Sequence, residues 1–263
     1  MNHGGALVKA VLRTLRRYTT RLWRWKSPQS PPRHPPVGLV RFGSLRRLQP
    51  IGRIFGSEWG QCIDRYYIES FLARHAADIH GHVLEVADNT YTRQFGGTRV
   101  QQSDVLHVSP QHPGATITAD LTCADHLQSE TFDCVIFTQT LQFIYDVRAA
   151  LRTLYRILKP GGVLFATGNG ISQIARWDMD HWGEYWRFTS LSAHKLFTEV
   201  FPGSHVTVQA HGNVLAAMAF LHGLVSEELQ QDELDYFDPD YEVLITVRAV
   251  KPLEAEARHQ AQE

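Results

Sequence analysis

Apolar and polar positions follow two rhythms along residues 58–252. Over 63–77, Ile63, Tyr66, Tyr67, Phe71 and Leu72 fall on or near one side of a 3.6-residue repeat, which predicts a helix with one buried face. Short apolar runs predict strands over 83–86, 98–105 and 115–119. The run 134–137 is wholly apolar, as a strand covered on both faces requires, and is expected at the centre of a sheet. Leu151, Leu154, Tyr155 and Leu158 give 147–158 a helical period, which Lys159-Pro160-Gly161-Gly162 stops. Further strands are expected over 163–167, 206–209 and 241–250. Strands alternating with helices imply a mostly parallel α/β sheet with helices on both faces, and ligands outside the carboxyl ends of its strands.

A different pattern precedes this body. Val8, Leu12, Leu15, Leu22 and Trp25 form an apolar stripe over residues 6–26, with Lys9, Arg13, Arg16, Arg17, Arg21 and Arg24 around it. Five prolines between Pro28 and Pro36 then make an extended spacer. Charge sharpens the division. Residues 1–57 carry twelve Lys/Arg and no acid, whereas the rest carries 14 Lys/Arg against 27 Asp/Glu, a balance of −13. The organisation read from this is a basic arm (1–57), an acidic globular domain (58–252) and a short tail (253–263). Trp23 and Trp25 suit residues 1–26 to peripheral contact with an anionic membrane. The same composition fits a basic tail without fixed structure or an organelle transit peptide. Arginines interrupt every candidate secretory core. Cys62, Cys123 and Cys134 lack CxxC spacing, which points to free thiols in a reducing, cytoplasmic compartment. The fourteen histidines make no zinc-binding pattern, so no metal is expected.

The stretch TFDCVIFTQTLQFIYDVRAALRTLYRILKPGGVLFATG, residues 131–168, resembles the second half of class I S-adenosylmethionine-dependent methyltransferases. YWRFTSLSAHKLFTEVF, residues 185–201, is similar to the Trp-Arg-Phe-Thr segment of small-molecule and sugar methyltransferases of that family. IDRYYIESF and DVLHVSP further resemble methyltransferase-like proteins encoded among bacterial polysaccharide genes. The resemblance implies a Rossmann-like, doubly wound sheet of about seven strands. It also implies S-adenosylmethionine as cofactor and a small-molecule or glycan acceptor methylated at oxygen; the basic arm would let a cytoplasmic protein lie against the inner face of the membrane. Nucleic acid is not expected as a partner. The body is acidic, and Thr138-Gln139-Thr140-Leu141 stands where base methyltransferases carry an Asn/Asp-Pro-Pro-Tyr loop.

By this resemblance Glu85 is the acid ending the first strand, and the family's three loop glycines fall on Ala87, Asn89 and Tyr91. Asn89 is expected to take the positive φ, and either Tyr91 turns outward or the turn after Val86 opens wider than in relatives, with Asp88 accepting from the cofactor ammonium. Asp104, 19 residues past Glu85, is the expected ribose acid, or else a strand-end acid turned to water. Asp120 and the Leu121 backbone would hold the adenine, although Asp120 also suits a helix N-cap or an Asx turn. Thr138 and Gln139 would lie near the methyl group. Gln142-Phe143 replaces the Glu-His that family members often carry. In the segment 176–188, His181 is the expected catalytic base, with Asp178, Asp180 and Glu184 as other candidates. Trp177, Trp182, Tyr185 and Trp186 would stack on a sugar or cover the site. The rival reading is a non-catalytic relative whose glycine-free loop no longer binds cofactor.

Overall fold

The structure, a computed structural model, describes residues 35–253. The chain forms two compact units, divided between Arg46 and Arg47. The expected helix over 6–26, most of the proline spacer and the end of the tail lie outside the described residues. In the first unit, Pro35 to Arg46 makes a turn and one 3₁₀ turn, Gly43–Leu45. The second unit begins some ten residues before the change in charge at Glu58. Ile51 and Gly52 donate backbone hydrogen bonds to His222, and the Glu58 carboxylate accepts from Arg53 and Ile54, so this basic stretch is built into the body.

The body runs α1 (Ile63–Arg74), β1 (Gly81–Val86), β2 (Val100–His107), β3 (Ile117–Thr118), β4 (Phe132–Phe137), α2 (Val147–Ile157), β5 (Leu158–Asn169), α3 (Arg176–His181), α4 (Ser190–Thr198), β6 (Val206–His211), α5 (Val214–Leu221), α6 (Gln231–Asp235) and β7 (Leu244–Val250). The seven strands lie in the order β3-β2-β1-β4-β5-β7-β6, with β7 antiparallel to both neighbours and the remaining pairs parallel. This is the class I methyltransferase fold.

Alternation along the strands supplies two cores. Leu84, Val135, Leu164 and Val247 face Leu151 and Leu154 of α2 and Phe197 of α4. Val83, Ile136 and Phe165 face Ile68, Phe71 and Leu72 of α1 and Phe220 of α5. The strand β4 is buried on both sides, as its apolar run requires.

Sequence and structure differ where pattern is weak. Lys159-Pro160-Gly161-Gly162 ends α2, but the chain passes directly into β5 with no intervening loop. The tetrapeptide is a register shift opposite Phe132 to Cys134, and Gly161 takes φ 80° while bonding to Lys251. The last strand begins at Leu244, not 241. Helices α3, α5 and α6 are short, and α4 starts at a Thr189/Ser192 capping box that lacks the usual Glu or Gln signal. Among the described residues no helix is long and apolar enough to cross a membrane.

Candidate active site

Strand order reverses between β1 and β4, so their carboxyl ends open a crevice. Both exits carry a non-glycine residue in the left-handed region: Ala87 at φ 74° and Gln139 at φ 49°. Such a backbone costs about 1–2 kcal/mol and persists only where neighbours enforce it. Ala87 N–H is held by the Leu106 carbonyl at 3.0 Å, so the chain must turn at once on leaving the sheet. Gln139 N–H donates to Thr167 Oγ1 at 2.9 Å. The positive φ expected at Asn89 therefore falls on Ala87. Asn89 instead donates to Ser103 Oγ at 3.2 Å.

The Glu85 side chain points toward α1 and is not open to the crevice. Its two oxygens accept from Tyr91 N–H at 3.1 Å and Thr92 N–H at 2.7 Å, capping the helical turn that begins there. The residue is 2% exposed. Burial pushes its carboxyl up to about 7, even against those hydrogen bonds. Tyr91 turns inward, not outward: its ring joins the α1-side core beside Phe95, and its hydroxyl accepts from Arg65 Nη1 at 3.0 Å. Asp88 and Ala87 are exposed at the tip, with Asp88 Oδ1 accepting from Thr90 N–H at 2.7 Å.

Asp104 does not reach the tip of β2. It pairs with Leu84, three residues before the strand ends at His107. Its carboxylate is held by His82 Nε2 at 2.6 Å, Thr116 Oγ1 at 2.7 Å and Gln102 Nε2 at 3.2 Å. Burial alone would raise this carboxyl, but these bonds outweigh it and hold it below the ordinary value. At the tip itself stands His107, stacked on His112 with Trp182 at its edge. Asp120 is exposed beyond β3 and forms an Asx turn, Oδ1 accepting from Thr122 N–H and Oγ1, both at 2.8 Å. The Leu121 side chain packs into the α2-side core. The Thr138 carbonyl accepts from Thr140 Oγ1 at 2.9 Å.

A largely buried chain of polar side chains underlies the β4 exit; Gln139 is the residue expected near the methyl group, whereas Asp64 is not singled out by the sequence. Asp64, in the first turn of α1 and 7% exposed, accepts from Gln139 Nε2 at 2.7 Å. Gln142 Nε2 donates to the Gln139 carbonyl at 3.1 Å and to its Oε1 at 3.2 Å. Burial pushes the Asp64 carboxyl up, against the neighbouring Arg65 charge and the Gln139 bond. One signal was available: Asp64 shares the apolar side of its helix with Ile68 and Phe71.

The segment 175–188 crosses these tips. Tyr185 N–H donates to the Gln142 carbonyl at 2.8 Å, Trp186 Nε1 to the Ile144 carbonyl at 3.0 Å, and Phe188 N–H to the Asn169 carbonyl at 2.8 Å. Glu184 accepts from Ala175 N–H at 2.8 Å and pairs with Arg187 at 2.6 Å, which fixes the bend. His181 is exposed on α3. Among the described residues its hydrogen bond, Nδ1 to the Trp177 carbonyl at 2.7 Å, and its ring stacking are both with Trp177. It is not joined to the Asp64–Gln139–Gln142 chain. Burial raises the Asp178 carboxyl, with Glu184 adding to the effect.

S-Adenosylmethionine carries an ammonium, a ribose diol and an adenine amine as donors. The exposed carboxylates Asp88 and Asp120 at the tips suit the first and last. Ala87, already left-handed, gives the turn that the family obtains from glycine. The diol is not matched, because Asp104 lies level with Leu84, below the strand tip, and its carboxylate is already bonded to His82, Thr116 and Gln102. Acids thus stand where the two ends of the cofactor could be held, and Asp104 does not serve its middle.

Residues 69–166 match a family model described as "Methyltransferase domain". No curated protein matches the chain. Three similar solved structures are named here. A SAM-dependent methyltransferase from Archaeoglobus fulgidus is 10% identical, with 71% of this chain and 94% of that one covered and a TM-score of 0.48. N-methyltransferase NodS from Bradyrhizobium japonicum WM9, in complex with S-adenosyl-L-homocysteine, is 15% identical, with 72% and 87% covered and a TM-score of 0.46. Haemonchus contortus phosphoethanolamine N-methyltransferase 2, in complex with S-adenosyl-L-methionine, is 13% identical, with 71% and 53% covered and a TM-score of 0.48.

Proposed function

We propose that the body of this chain transfers a methyl group from S-adenosylmethionine to an oxygen of a small-molecule or glycan acceptor. One observation carries the reading: within a methyltransferase domain, a buried polar chain from Asp64 to Gln142 sits at the strand-order reversal, beneath a segment bearing exposed aromatic rings. When bound, S-adenosylmethionine supplies an already activated methyl group. The residues of this chain need mainly to orient the acceptor and exclude water. Asp88 would meet the amino-acid end, Asp120 the adenine, and Gln139 would border the methyl side. His181 is kept as a candidate base only if α3 moves, since its partners now lie within its own helix. The basic arm, residues 1–26, would hold the protein on an anionic membrane at the cytoplasmic face, next to lipid-linked glycans. Vesicle sedimentation of the intact chain and of a 1–36 deletion tests that part.

A non-catalytic relative is the second reading, and the engagement of the Asp104 carboxylate by His82 and Thr116 favours it. Calorimetry of the full chain with S-adenosylhomocysteine separates the two. Binding is expected, and none at millimolar ligand would end the enzyme reading. With a methyl-labelled donor and a pool of bacterial glycolipids and sugars, label is expected in alkali-stable ethers. Label in amines would move the acceptor atom to nitrogen.

A further inference from the structure

Two buried acceptors at the tips of β4 and β5 have no donor. Gln142, 1% exposed, has an unpartnered Oε1, and Asn169, 5% exposed, has an unpartnered Oδ1. The orientation of the first is fixed from below. Asp64 accepts from the Gln139 amide, and Gln139 accepts from the Gln142 amide. The N–H groups of this chain therefore point toward the carboxylate, and its open end is a carbonyl oxygen. Asn169 lies on the same face of β5 as Thr167, which accepts from Gln139 N–H. The segment over both residues has already taken their backbone carbonyls, through Tyr185 and Phe188. A buried oxygen left unpaired is costly, and a bound donor would recover that cost.

The segment that bonds to both residues also carries an aromatic face. Tyr145, 72% exposed, packs against Tyr185 at 5.3 Å and Trp186 at 5.9 Å, and the Trp186 bond to Ile144 holds that ring in place. Neutral amide oxygens accept hydroxyl donors without leaving a desolvated charge, whereas an ammonium held by these two oxygens would have no carboxylate among its direct partners. We propose, resting on the methyl-transfer reading above, that Gln142 and Asn169 receive hydroxyl donors of a pyranose acceptor whose ring lies on the Tyr145–Tyr185–Trp186 face. These two amides then select a sugar over a cationic amine as the methyl acceptor.

Saturation-transfer NMR on the full-length protein, with and without S-adenosylhomocysteine, tests this with three probes. These are methyl β-D-glucopyranoside, methyl α-L-rhamnopyranoside and cyclohexylammonium, a cationic ring of similar size. Transfer to at least one pyranoside is expected, and none to cyclohexylammonium. Gln142→Met and Asn169→Leu keep volume but remove the acceptors, and each should weaken pyranoside binding about tenfold while leaving S-adenosylhomocysteine affinity unchanged. Tyr145→Ala, at an exposed ring, should weaken it too, and decides alone if the amide variants do not fold. Pyranoside affinity unchanged in the folded variants, no binding of either pyranoside, or stronger binding of cyclohexylammonium would each overturn the proposal. Failure of S-adenosylhomocysteine to bind would instead remove the methyl-transfer reading. The measurements without it would still decide the sugar seat.

Discussion

The loop leaving β1 and the loop leaving β4 both bend through a left-handed residue that is not glycine, Ala87 in one and Gln139 in the other. Beyond that bend they are built differently. The first is held by carboxylates bonding to backbone: Glu85 caps Tyr91 and Thr92, and Asp88 caps Thr90. The second is held by amides bonding to one another and to a buried acid, Asp64. In the first loop the acid that looked functional, Glu85, is occupied by local structure. In the second the inconspicuous amides leave an oxygen open. Residue type alone did not tell which loop held unused hydrogen-bonding capacity.

Removing the Glu85 carboxylate should break the first loop most severely. Glu85→Ala leaves two buried N–H groups without an acceptor, at a cost on the order of 3–5 kcal/mol. A large fall in the midpoint of thermal or urea unfolding checks it. If the midpoint barely moves, the capping account is wrong.

The same carboxyl makes the body sensitive to pH. Its folded value, about 7, lies above the ordinary 4.5, so between these values the folded state keeps a proton that the unfolded chain releases. The stability due to this group is fully present below about pH 4.5 and is lost as pH rises through 7, by about 3 kcal/mol in total. Urea unfolding across this window should show the decline, and Glu85→Gln should flatten it. A wild-type slope retained by Glu85→Gln would assign the decline to another group.

The two bends can then be set against each other. Glycine relieves the left-handed backbone at either position. Gln139→Gly also strips the side-chain donor from Asp64 Oδ2 and one of the two acceptors from Gln142, whose bond to the residue 139 carbonyl remains, so a net loss of about 1–2 kcal/mol is expected. Ala87→Gly removes only a methyl, and a gain of about 0.5–1 kcal/mol is expected after the added freedom of the unfolded chain. Opposite signs in paired melting experiments support the contrast; equal signs refute it.

Much of the fold was legible because it rests on local pattern. The apolar run in β4 and the period of α2 fixed the centre of the sheet and one flanking helix. The end of β2 was not legible. Residues 101 to 104 are all polar, so no alternation marks the tip, and that end is set by pairing of Leu106 with Val86 and Ile117. A spacing counted from Glu85 therefore reached Asp104 while the strand continued to His107. Asp64 could have been found, since a helical repeat places it among apolar residues. Gln142 and Asn169 could not, because the segment folded back on both is bonded to them through Tyr185 and Phe188, contacts that no local repeat marks.

Asp104 gives the smallest expected effect. Family spacing makes it the ribose acid, whose loss would weaken cofactor binding about tenfold or more. Its position argues otherwise. It lies level with Leu84, below the tip of β1, and three side chains from β1, from β2 and from just before β3 already bond to it. Asp104→Asn keeps the shape and one acceptor oxygen, so Thr116 retains a partner, while the charge opposite His82 is lost. A loss of about 1 kcal/mol in stability is expected, with S-adenosylhomocysteine affinity unchanged by calorimetry. Affinity is the informative reading. A tenfold loss with the fold intact would mean that β2 shifts toward the crevice when cofactor binds and that Asp104 exchanges His82 for the ribose.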